Sequence, residues 1–90
     1  MEFEWDEAKS ERNLRERGFD FAYAAGIFEG LVIETIDDRL DYGEERVIAI
    51  GETGGSVLVV VYTDRDGVRR IISARLANRR ERDVYDTHIG

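Results

Sequence analysis

Val57-Leu58-Val59-Val60-Val61-Tyr62, the pair Asp66-Gly67, and then Val68-Arg69-Arg70-Ile71-Ile72-Ser73-Ala74-Arg75 decide how this 90-residue chain folds. The first run is continuously apolar and rich in β-branched residues, the pattern of a central strand buried on both faces. Asp-Gly suits the positive backbone angles of a tight hairpin. The second run returns as the last strand, with arginines set among isoleucines. A charge beside buried apolar residues is unfavourable unless it is paired or used, so this strand is the first place to expect function.

Working outward, Gly54-Gly55 is a second hairpin signal. It joins the apolar strand to a run from Arg46 to Ile50 that ends at Gly51. Short turns between three consecutive strands predict an antiparallel meander. Leu31 to Ile36, again β-branched, reads as a further strand. Between them, Asp37 to Glu45 is an acidic loop with five acids and one arginine. At the N-terminus, Phe3 and Trp5 alternate with Glu2 and Glu4. Asp6 N-caps a helix from Glu7 to Arg17 that stops at Gly18; its apolar face is thin, Ala8 and Leu14. Lys9, Asn13 and Arg17 recur every fourth residue and line one polar face. Asp20 caps a second helix, ended by Gly30, in which Phe21, Ala24, Ala25 and Phe28 form a core stripe. Asn78, with Glu81 in capping-box spacing, opens a last helix. Val84 and Tyr85 face the core there, and Asp86 to Gly90 frays. The reading is one α+β domain over residues 1–90.

The charge is −7, from 13 basic and 20 acidic residues. That balance argues against indiscriminate nucleic-acid binding, which needs cations. Its distribution is uneven: between Arg69 and Arg82 there are six arginines and one acid. Lys9 is the sole lysine, and guanidinium forks match phosphates and carboxylates bidentately. Cysteine is absent, which excludes disulfides and thiolate chemistry. No His/Asp or Cys/His spacing suggests a metal centre, and no cofactor is expected. No apolar run approaches a membrane span, and no signal sequence is evident, so a cytoplasmic protein with no membrane partner is expected.

Alternation along the last strand puts Arg70 with Val68, Ile72 and Ala74, and Arg75 on the opposite parity with Ser73. The two share one site only if a bulge intervenes, or if Arg75 lies past the strand end. Arg46, with Ile48 and Ile50, reaches the face of Arg70 from a neighbouring strand. The pair would make an anion clamp. The alternative is that each arginine simply pairs with an acid, for instance one in the loop from Asp37 to Glu45.

Phe3-Glu4-Trp5-Asp6, Lys9, Asn13, Gly18-Phe19-Asp20-Phe21, Glu45-Arg46, Ile50-Gly51, Ile71-Ile72-Ser73-Ala74-Arg75, Glu81-Arg82 and Tyr85, in that order, resemble the BrnT family of type II toxins. The resemblance implies a RelE-like fold, an antiparallel sheet with two N-terminal helices and a C-terminal helix packed on it. It implies a metal-independent ribonuclease that inhibits translation, and a small cognate antitoxin, commonly ribbon-helix-helix, through which the complex reaches operator DNA. On that basis Arg70 and Arg75 hold the RNA phosphate with Arg46 in support. Lys9 and Glu81 are candidates for proton transfer, and Tyr85 for proton donation or base stacking. Asn13 and Arg17 bind substrate. Family members commonly read Lys-His-Gly where this chain has Glu16-Arg17-Gly18. A guanidinium cannot replace a histidine in acid–base work. The other reading is therefore a catalytically weak RelE-like module that binds an antitoxin and modulates operon repression.

Overall fold

Both hairpin signals operate where they stand. β3 (Arg46–Thr53), β4 (Ser56–Arg65) and β5 (Val68–Leu76) form the antiparallel meander. Its turns, Gly54-Gly55 and Asp66-Gly67, hold φ angles of 58, 83, 51 and 79°, the paired positive values of type I′ turns. The computed structural model describes residues 1–89, and among these β4 is the middle of five strands in the order β1-β5-β4-β3-β2. Leu58, Val59, Val60, Tyr62 and Thr63 are buried and Val57 and Val61 half-buried, so β4 is covered on both faces along most of its length.

The edges differ in kind. β2 (Ile33–Asp37) pairs antiparallel with β3, two residues later at its start than the β-branched run suggests. β1 (Glu2–Trp5) pairs parallel with β5, Glu2 beside Val68 through Trp5 beside Ile71. The sheet is therefore mixed, which corrects the wholly antiparallel expectation. Glu4 and Arg70 meet across 66 residues, and nothing local in either strand announces their direction.

α1 (Glu7–Arg17) starts on Asp6, whose Oδ1 accepts from Lys9 N–H at 3.2 Å, and ends as Gly18 N–H donates to Leu14 O. Its buried residues are Ser10 and Asn13, while Ala8 and Leu14 are exposed. The thin apolar face is thus not what docks it. Ser10 Oγ accepts from Phe21 N–H at 3.0 Å, and Asn13 Nδ2 donates to Phe19 O at 2.9 Å. Two buried side chains, each bonded to backbone, pin the turn into α2 (Phe21–Ala24). From Ala25 to Glu29 the helix tightens to 3-10 winding, which carries Ile27 fully inside, 0% exposed, and leaves Phe28 at the margin.

Gly51 does not end β3. A Cβ there would sit 2.8 Å from both Ile27 Cβ and Val32 Cγ1, so glycine is the residue that lets the 3-10 turn lie close on a continuing strand. The main core joins Phe19, Phe21, Ala24 and Ile27 to Ala49, Leu58, Val60, Tyr62, Ile71 and Ala74 of the sheet. α3 (Arg79–His88) packs at one end of the opposite face. Its capping box is complete: Asn78 Oδ1 accepts from Glu81 N–H, and Glu81 Oε1 accepts from Asn78 N–H, both at 2.8 Å. Tyr85 is buried as expected; Val84 is exposed, because consecutive helix positions diverge by 100° and only one can point inward. The helix continues to His88, with Nδ1 2.8 Å from Val84 O, so the fraying expected from Asp86 is not seen there; Gly90 lies outside the described residues.

Candidate functional site

Ser73 stands opposite Val61, but Tyr62 stands opposite Ile71, so Ile72 has no partner on β4. This is a β-bulge, and it reverses the alternation within β5. Of the two ways for Arg70 and Arg75 to share a face, the chain uses the bulge; β5 runs on to Leu76. Arg70, opposite Thr63, and Arg75, opposite Val59, now both point away from the main core.

The same register builds a row across five strands. Glu4 is beside Arg70, Arg70 opposite Thr63, and Arg46 opposite Asp37. Val47 pairs with Tyr62, which sets Arg46 next to Thr63, and Thr63 Oγ1 donates to Glu45 O at 2.8 Å. Arg46, Thr63, Arg70, Ser73 and Arg75 thus occupy one face.

Each arginine of this face meets a carboxylate. Arg70 Nη1 donates to Glu4 Oε2 at 3.2 Å. Arg75 donates twice to Glu81, at 2.7 and 2.8 Å. Arg46 Nε donates to Glu44 Oε2 at 3.3 Å, and its guanidinium lies 3.9 Å from the Tyr42 ring centroid. Glu44 also holds Arg65. At the end of β2, Asp37, its side chain 1% exposed, accepts from Arg39 at 2.7 and 2.8 Å and from Tyr42 at 3.3 Å. Simple pairing with acids is therefore realised. The pairs stay accessible: the side chains of Arg46, Arg70 and Arg75 are 27, 35 and 46% exposed. A guanidinium carries five N–H donors, and Arg70 uses one on Glu4, which leaves a fork for a phosphate.

The pairing fixes protonation. Hydrogen bonds from Arg75, and less strongly from Asn78 N–H, hold the Glu81 carboxyl below its usual range, against the opposing effect of burial. Arg75 is raised in turn by Glu81. Asp37 is drawn down to about 2, chiefly by the Arg39 hydrogen bonds. Glu44 is lowered, first by Arg65 and then by Arg46.

The remaining expected site residues lie apart from this row or serve the frame. Glu81 caps α3 and orients Arg75 at once. Tyr85 is buried, its hydroxyl donating to Leu31 O at 3.4 Å. Asn13 is buried at the α1–α2 turn. Arg17 Nη1 donates to Ala74 O at 2.7 Å and reaches Asn13 Oδ1 at 3.4 Å, tying the end of α1 to β5. Lys9 is exposed and lines a cleft of about 310 Å³ between α1 and the bulged part of β5, together with Arg12, Arg17 and Ser73. The sequence alone assigns no role to Ser73 or Arg12. Ser73 lies inside the quoted strand, and only the bulge shows that its hydroxyl shares a face with both arginines. Among the described residues no group of three or more His, Cys, Asp or Glu converges as a metal site, and no helix is long and apolar enough to cross a membrane.

The structure is thus a mixed α+β sheet with a row of accessible, acid-paired arginines on one face. The chain belongs to the BrnT family, the ribonuclease toxins of type II toxin–antitoxin systems, whose family model matches residues 5–81. That span runs from the end of β1 through the arginine strand to Glu81, the partner of Arg75. Membership implies an antitoxin partner. No curated protein matches the chain.

Proposed function

We propose that this chain is a cytoplasmic, metal-independent endoribonuclease of RelE-like fold that inhibits translation and is neutralised by a small antitoxin, ribbon-helix-helix in type. The observation that carries the reading is the bulge at Ile72, which brings Arg75 onto the accessible face that Arg46 and Arg70 share. In metal-free cleavage the 2′-oxygen forms a bond to the adjacent phosphorus as the bond from phosphorus to the 5′-oxygen breaks. The 2′-hydroxyl proton passes to a base, the 5′-oxygen receives a proton, and a 2′,3′-cyclic phosphate remains. The phosphoryl oxygens gain charge on the way, and Arg70 and Arg75, with Arg46 in support, hold that charge through their spare N–H donors. Glu81 keeps Arg75 aimed. Lys9 is the proton-transfer candidate at the neighbouring cleft. Operator DNA is reached through the antitoxin complex. Purified protein incubated with single-stranded RNA in EDTA should leave cyclic-phosphate ends, and 2′-deoxy substitution at the cleaved position should stop it. Intact RNA with wild type and Arg70→Ala alike sinks the proposal.

One observation favours the second reading, a weakly active module that binds an antitoxin and tunes repression. Arg17, at the position where family members commonly carry histidine, is committed to Ala74 O. Inducing the chain alone in cells discriminates. Growth arrest relieved by the neighbouring gene supports the toxin, and indifferent growth supports the module.

A further inference from the structure

The cations of this chain are of two kinds. Arg46, Arg70 and Arg75 each have a carboxylate within 4.0 Å. Lys9, Arg12 and Arg17 have none that close among the described residues, although they converge on one cleft whose walls also include Glu16, Ile72 and Ser73. Three cations against one acid is a local surplus on a chain whose charge is −7. Like charges held together on one helix repel, and a cleft of one sign concentrates counter-ions. Arg17 spends Nη1 on Ala74 O and Asn13 Oδ1 and keeps its other N–H donors and its charge, so all three cations bear on the cleft.

The cleft also adjoins the arginine row. Ser73 is on its wall and, through the bulge, on the face of Arg70 and Arg75. Its side chain is exposed, and its hydroxyl makes no hydrogen bond among the described residues. We infer that this cleft is a second phosphate subsite: it takes the phosphodiester next to the one on the arginine row, Arg12 and Arg17 supply the charge, and Ser73 donates a hydrogen bond at the junction. The inference rests on the RNA-cleaving reading for its ligand and extends it from one phosphate to a strand. Arg12 acts here in binding and stands outside the cleavage step.

The test is fluorescence anisotropy with single-stranded 2′-deoxy oligonucleotides, which lack the attacking hydroxyl, in lengths of two and six residues and over a range of salt. Wild type should bind the longer strand more tightly. Arg12→Gln should lose about tenfold in affinity for the six-mer, with the salt slope falling by roughly 0.7 for the one contact removed from a single strand. Binding of the two-mer should stay unchanged, and Arg12→Lys should restore most of the loss. Ser73→Ala should weaken the six-mer more than the two-mer. An unaltered slope and affinity in Arg12→Gln overturn the subsite, as does an equal loss at both lengths or wild-type binding that does not grow with length. Tight, Arg12-dependent binding without RNA cleavage instead overturns the ribonuclease reading and leaves the subsite standing.

Discussion

On one face of the sheet, Ala49, Leu58, Val60, Tyr62, Ile71 and Ala74 meet the helices in a dry cluster. On the other, the same strands present Arg46, Thr63, Arg70, Ser73 and Arg75, with carboxylates at the arginine tips. Apolar packing and accessible charge are separated by the thickness of one sheet. The first face is governed by volume, where a missing methylene leaves a void. At the arginine tips the second is governed by accessible charge, where a missing partner is replaced by water.

The separation can be broken from either side. Leu58→Ala, at a fully buried site, should lose about 2–5 kcal/mol. Thermal denaturation would show it, with cleavage per folded molecule unchanged. Arg70→Ala should do the reverse. Its pair with Glu4 is accessible and contributes about 0–1 kcal/mol, whereas losing a donor to the phosphoryl charge should lower kcat by roughly 10²–10³. An Arg70→Ala protein as unstable as Leu58→Ala would abolish the distinction. Asn78→Ala tests the one place where the two properties touch, because Glu81 serves both the cap and Arg75. Stability should fall by about 1 kcal/mol, read by urea denaturation, and kcat should fall with it. If kcat holds, Glu81 does not position Arg75.

The smallest effect is one of pH. Asp37 has a folded pKa depressed to about 2, first by hydrogen bonds from Arg39. A depressed carboxyl contributes stability that is complete above its unfolded value, about 3.9, and is lost as pH falls toward the folded value. The loop between β2 and β3 should therefore become protease-sensitive between about pH 4 and 2, and in Asp37→Asn that dependence should be absent.

Much of the frame is legible in the sequence because its signals are local. Asp6, Asp20 and Asn78 cap the helices from one side chain each, and the two hairpins need only their own turn residues. The parts that escape are those set by distant partners. Gly51 reads as a stop, yet it makes room for Ile27, 24 positions earlier in the numbering. Asn13 reads as part of a polar face, yet it and Ser10 bond the backbone of the next turn. Alternation alone places Arg70 and Arg75 on opposite faces and shows that a bulge would reunite them. Whether the bulge exists depends on the register of β4 against β5, which no stretch of β5 contains. The same dependence hides Ser73 and the cleft it shares with Arg12.

The parallel pairing of β1 with β5 has a consequence in time. Glu4 leaves the ribosome early and must wait for Arg70, 66 residues later. At a synthesis rate of about 5–20 residues per second, that wait is roughly 3–13 s. Until then β1 has no strand to pair with, and its carboxylate has no arginine to orient. The Glu4–Arg70 pair is therefore a late contact of the sheet, one that synthesis makes possible only after β2, β3 and β4 are already out.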